Sequence, residues 1–216
     1  MKALIYVEGP SDKAAMETLL RPLIREKEEK GVQIRFIEAP RGDKKESVLL
    51  KVPKKAANIL LHDRDAIVVA MPDLHPKNKG FPHRNVEELQ AGVIERFRSS
   101  LKSKLSKTGG LPAALASRFQ VFCFKYDLEA LVLAAEENLA RRLKVRRLKR
   151  TWRLPVEEQN DDDPPKKIVE RLFAANDATY RGTVDAPSIL QGCDYRQLAE
   201  LCPQCFGPFV EFLEGL

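Results

Sequence analysis

Apolar positions follow two rhythms along the chain. Ala3–Val7 and Ala66–Met71 are unbroken apolar runs with β-branched members, as expected of strands buried on both faces of a parallel sheet. Val32–Ile37 alternates apolar and polar residues, and Phe119–Phe124 is a fourth strand candidate. Between these runs the period becomes helical. Ala15, Met16, Leu19, Leu20 and Leu23 share one face. Ser11 or Asp12 is the expected N-cap, Pro22 shortens or bends the end, and Gly31 stops the helix. Residues 44–61 read as helix interrupted by Pro53. Asn85 followed by Glu88 makes a capping-box start for a face of Val86, Leu89, Val93, Phe97 and Leu101, and Gly109-Gly110 closes that region.

A further helix starts near Leu128, with room to run on into the segment beyond residue 140. Asp161-Asp162-Asp163-Pro164-Pro165 is an acidic loop. After it come helical stretches near residues 166–175, 186–191, 196–201 and 206–213. Strands alternating with helices predict an α/β fold: a mostly parallel, Rossmann-like four-stranded sheet flanked by helices, with a helical C-terminal extension.

Charge sharpens this picture. The 216 residues carry a formal net charge of +6. Eight basic residues fall between Arg141 and Arg153 with no acid among them. They are Arg141, Arg142, Lys144, Arg146, Arg147, Lys149, Arg150 and Arg153, and without them the remainder is slightly acidic. Such a localised run points to a polyanion partner, nucleic acid first and an acidic protein surface second. The other reading is a solvated helix face, with Leu139, Leu143 and Leu148 turned inward. Arg96, Arg98, Lys102, Lys104 and Lys107 form a second basic stretch. Hydrophobic residues at 44% and charged residues at 31% exclude a disordered chain, a collagen and a disulfide scaffold. The opening run is too short for a signal peptide and no stretch suits a membrane span. Cys123, Cys193, Cys202 and Cys205 then read as reduced thiols of a cytoplasmic protein.

In an open parallel sheet, ligands bind beyond the carboxyl ends of the strands. Glu8 follows the first strand and Asp73 the third. If those strands are neighbours, the two carboxylates converge on one divalent cation, and Mg²⁺ typically takes only one or two carboxylates besides water and phosphate. The alternative is that both acids cap the helices that follow.

Val7-Glu8-Gly9-Pro10-Ser11-Asp12 after an apolar strand resembles the opening of a TOPRIM domain, the nucleotidyl-transfer and nuclease fold of topoisomerases, primases and OLD-type nucleases. Over nearly its full length the chain is similar to a bacterial TOPRIM-like family, a domain of unknown function related to OLD/RloB-type nucleases. The likeness rests on that opening and on Met71-Pro72-Asp73-Leu74-His75-Pro76 with Phe81-Pro82. It continues in Tyr126-Asp127-Leu128-Glu129-Ala130-Leu131, and in Asn160-Asp161, Pro165-Lys166-Lys167, Tyr180 and Cys202-Pro203.

The resemblance implies a TOPRIM-like domain over residues 1–135, then a basic linker helix and helical extension over residues 136–216. It implies Glu8 as acid/base or metal ligand, Asp73 as the aspartate motif and Glu129 as a third catalytic carboxylate. The cofactor would be Mg²⁺ or Mn²⁺, with His75 standing in where the usual Asp-x-Asp pair is incomplete. The expected function is metal-dependent phosphodiester cleavage of nucleic acid, in phage defence or repair beside a partner ATPase. The alternative is a degenerate module that binds nucleic acid or the ATPase without cleaving. Tyr126 is a candidate nucleophile or a structural tyrosine. Cys202-Pro203-Gln204-Cys205 is half of a zinc knuckle or a pair of buried thiols. No Walker-type loop is present, so no nucleotide cofactor or ATP hydrolysis is expected.

Overall fold

The structure, a computed structural model, describes residues 1–40, 44–75, 81–105 and 113–216. Pro76, Lys107 and Gly109-Gly110, used above, lie outside them. In chain order the elements are β1 (Lys2–Val7), α1 (Pro10–Leu19), α2 (Arg21–Glu29), β2 (Gln33–Glu38), α3 (Lys44–Glu46), a π turn (Ser47–Lys51), α4 (Val52–His62), β3 (Ala66–Met71) and α5 (Val86–Leu105). Then follow α6 (Ala113–Ala116), β4 (Phe119–Val121), α7 (Glu129–Ala134), α8 (Glu136–Arg142), α9 (Pro165–Ala174), α10 (Gly182–Leu190), α11 (Tyr195–Leu201) and α12 (Phe206–Glu214). The chain divides into two compact units. One comprises Met1–Gly9 and Ile24–Cys123, the other Pro10–Leu23 and Phe124–Leu216.

The first unit holds the sheet. Among the described residues its four strands run parallel in the order β2-β1-β3-β4, the α/β architecture that the apolar runs predict. β1 and β3 are the central pair, and their apolar residues are buried except for the half-buried Leu4 and Ile67. Their register ends at Val7 opposite Met71, so Glu8 and Pro72 leave the sheet side by side. β4 is shorter than expected. Phe122 N still donates to Ala70 O, but the ladder cannot continue past Met71, because Pro72 has no N–H to offer.

Pro53 does not break the helical region that contains it. The π turn ends with Val52 N donating to Ser47 O. Pro53 then falls in the first turn of α4, where its missing N–H is not needed. α5 starts as expected, with Asn85 Oδ1 accepting from Glu88 N at 2.8 Å. The Glu88 carboxylate turns instead to Arg84 N and its guanidinium. Phe97 of α5 stacks on Phe119 of β4 with centroids 4.4 Å apart.

The second unit is helical. α1 begins at Pro10, whose fixed φ suits the first helical position. Ser11 and Asp12 therefore lie within the first turn rather than at the N-cap. α1 packs on α10, and its Ala15, Met16 and Leu19 are buried. The helix expected to run from Leu128 into the basic segment does not. It breaks at Ala135 (φ −80°, ψ 47°) and ends at Arg142. Lys144 takes φ +57° and the chain leaves helical geometry. Leu139, Leu143 and Leu148 are all buried, but not as one helix face. Glu157 caps α12 from afar, its carboxylate accepting from Gln204 N at 2.6 Å and Cys205 N at 3.0 Å.

Candidate functional site

In the first unit, Glu8 and Asp73 come together as the strand order requires. Asp73 N donates to Glu8 Oε1 at 2.9 Å, so the carboxylate after β1 grips the chain after β3. Both side chains are half-buried at the carboxyl end of the sheet, as is His75 two residues on. A cation missed in the sequence stands beside them. A Cβ placed on Gly9 would lie 3.3 Å from Lys44 Nζ, so the ammonium sits over the residue after Glu8. No motif marks Lys44 in a chain with 37 lysines and arginines. The loop carrying Asp73 is fastened by His83, whose buried ring lies 3.0 Å from Leu74 O through Nε2 and 2.9 Å from Phe81 O through Nδ1.

Two hard carboxylates on adjacent strand ends suit Mg²⁺ or Mn²⁺ completed by water and phosphate. Among the described residues no group of three or more His, Cys, Asp or Glu side chains is arranged to hold a metal ion. The donor set therefore fits a two-carboxylate site of Glu8 and Asp73, not a complete protein cage.

Glu129 lies in the second unit, 6% exposed, at the start of α7. Burial pushes its carboxyl above the usual range, and the charge of Asp12 adds to this. Asp127 is pushed well up by burial and then by Glu129, although Lys166 N donates to its Oδ2 at 3.3 Å. Its buried Oδ1 has no hydrogen-bond partner. The buried Tyr180 hydroxyl faces Glu129 without a well-formed hydrogen bond, and burial followed by that charge raises its pKa strongly. A Cβ on Gly182 would lie 3.6 Å from Ser11 Cβ and 3.7 Å from Glu129 Oε1. Asp12, Asp127, Glu129, Lys166 and Tyr180, scattered along the sequence, thus share one polar cluster.

Tyr126 is not set up as a nucleophile. Its hydroxyl donates to Gln159 O, and burial raises its pKa further from the phenolate that attack would need. Cys202 and Cys205 are buried free thiols, and burial pushes the Cys202 thiol up.

The basic segment is partly committed to the fold. Arg142 donates from Nε at 2.9 Å and Nη2 at 2.5 Å to Asp185 Oδ1, on a side chain 2% exposed. Arg150 pairs with Glu136. Arg141, Lys144, Arg146, Arg147 and Lys149 remain exposed.

No helix among the described residues is long and apolar enough to cross a membrane. No curated protein and no solved structure matches the chain. One family pattern does, from residue 7 to residue 214, and its description names neither an activity nor a link to TOPRIM or OLD/RloB proteins. The chain belongs to that family, the domain of unknown function DUF4276.

Proposed function

We propose that this chain cleaves phosphodiester bonds of nucleic acid in the manner of a TOPRIM nuclease. The observation that carries the reading is the contact between Glu8 and Asp73 across neighbouring parallel strands. A bound Mg²⁺ or Mn²⁺ would supply charge neutralisation at the phosphate. Glu8 and Asp73 would hold it, with His75 at the edge of the same loop. The Asp73 N–H fixes the Glu8 carboxylate as ligand or proton acceptor. Lys44 offers a positive charge to the phosphate, and Glu129 in its buried cluster is suited to hold a proton. The exposed basic residues from Arg141 to Lys149 would track the backbone. The family resemblance adds an ATPase partner and a role in phage defence or repair.

A second reading is a module that binds nucleic acid or the ATPase without cleaving. It is favoured by the absence, among the described residues, of three clustered metal-ligating side chains. A cleavage assay of the full chain with Mg²⁺ and with Mn²⁺ separates the two. Cleavage by wild type and a loss of at least about a hundredfold in Glu8→Gln and Asp73→Asn supports the nuclease. Activity that both variants retain removes this site. Binding without cleavage or metal uptake in wild type supports the module.

A further inference from the structure

Within the second unit a pocket of about 240 Å³ is walled by Leu133, Trp152, Leu154, Val156 and Leu201. Leu154 and Leu201 are 55% and 42% exposed, which is unusual for large apolar side chains in this chain. Trp152 is 6% exposed, and its buried Nε1–H has no acceptor. Arg150 lies with its guanidinium carbon 6.0 Å from the Trp152 ring centroid and is fixed there by Glu136. The walls therefore include an indole and a guanidinium. A second depression, lined by Arg147, Leu148 and Lys149, shares Glu136 and Arg150 with the first, so the two are neighbours.

An apolar, indole-bearing pocket beside exposed cations fits a planar heterocycle attached to phosphate. The volume falls below that of a drug-sized site, which restricts it to a single ring system. Apolar and planar side chains take up unstacked bases, and nearby cations take the adjoining phosphates. A base inside a duplex is already paired and stacked and cannot enter.

We propose that the Trp152 pocket receives one unstacked base of a single-stranded nucleic acid, with Arg147 and Lys149 on the flanking phosphates. Glu200 at the lip orients the strand, since it repels phosphate but accepts from an exocyclic amine. The proposal rests on the nucleic-acid reading above and narrows it to single strands.

Trp152 is the sole tryptophan, so its fluorescence reports on this pocket alone. The full chain is titrated with a labelled single-stranded DNA oligomer, the same sequence as a blunt duplex, inorganic polyphosphate and an acidic peptide carrying leucine. Anisotropy or competition reports binding, and Trp152 emission reports the pocket. The single strand is expected to change the emission and to bind about tenfold tighter than the duplex, within what one base–aromatic contact gives. Polyphosphate is expected to compete without changing the emission. Leu201→Arg, at an exposed lip position, is expected to abolish both the emission change and the single-strand preference. Arg147→Glu with Lys149→Glu is expected to weaken all polyanions and flatten the salt dependence.

Tight single-strand binding with unchanged emission, and no effect of Leu201→Arg, overturns the pocket while leaving the nucleic-acid reading intact. So does an emission change produced equally by polyphosphate. Emission that responds only to the acidic peptide overturns it in favour of a protein partner. No binding of either nucleic acid overturns both readings.

Discussion

Tyr126 holds φ at +75°, a conformation that costs a bulky L residue about 1–2 kcal/mol. The ring is buried and the hydroxyl is tied to Gln159 O, which together hold the turn in place. The residues delivered by that turn are Asp127 and Glu129. Both titrate above the ordinary carboxyl range, chiefly because burial penalises their ionised forms. A carboxyl with a higher pKa folded than unfolded stabilises the fold below its unfolded value, near about 4, and that stability is lost as pH rises through the folded value. Asp127→Asn cannot ionise. It is expected to raise unfolding stability at about pH 7 to 8, with the gain shrinking to nothing towards about pH 4, as read by urea melts across that range. Such a gain would mark Asp127 as a residue kept at the expense of stability. Glu8, Asp73 and Glu129 were legible in the sequence, the first two from their place after strands and the third from its motif. Lys44 and the neighbours of Glu129 were not, because they meet only through the tertiary packing of segments far apart in the chain.

Gly92 shows how an element is shaped for its neighbour. Alanine in a helix interior is ordinarily better than glycine by about 1 kcal/mol. Here a Cβ would lie 2.5 Å from Phe81 Cζ, and the ring is buried and covered by the Arg96 guanidinium at 5.0 Å. Overpacking of this kind costs about 1–3 kcal/mol. Gly92→Ala is therefore expected to destabilise by up to about 2 kcal/mol in urea melts rather than to give the usual helix gain. The displaced ring would also strain the His83 link between Phe81 and Leu74, and with it the loop that carries Asp73. β1 and β3 followed closely from apolar runs, because burial on both faces leaves an unbroken signal. Breaks within helices left a weaker one. The π turn before Pro53 and the interruption at Ala135 arise from backbone hydrogen bonding, which apolar periodicity does not encode.

The whole-molecule charge is less free than its formal value suggests. Arg142 and Arg150 are ion-paired, which leaves Arg141, Lys144, Arg146, Arg147 and Lys149 as the segment's exposed set before Arg153. Two kinds of substitution should therefore behave in opposite ways. Arg142→Met is expected to lower unfolding stability by about 1.5–3 kcal/mol, the worth of hydrogen bonds to a buried charge, and to leave the salt dependence of nucleic-acid binding nearly unchanged. Arg146→Glu with Arg147→Glu is expected to change unfolding stability by no more than about 0.5 kcal/mol and to weaken binding most at low salt. Parallel melts and binding isotherms at several salt concentrations would check both.

The pairing of α1 with α10 joins a segment near the start of the chain to one near its end. During synthesis α1 emerges early, and α10, the helix it packs on, does not exist until the ribosome has passed Leu190. The sheet unit has all of its residues once Cys123 is out, whereas the helical unit needs residues as far as Leu216. A product cut short after the sheet would retain a folded-looking half and an α1 without its α10 partner, a combination that chaperones bind and proteases remove. Non-local closure of this kind makes the acidic cluster around Glu129 wait for later synthesis, because Tyr180 and Gly182 lie more than fifty residues beyond Glu129. An unfinished chain thus cannot assemble the buried carboxyl environment, whatever its sheet has already formed.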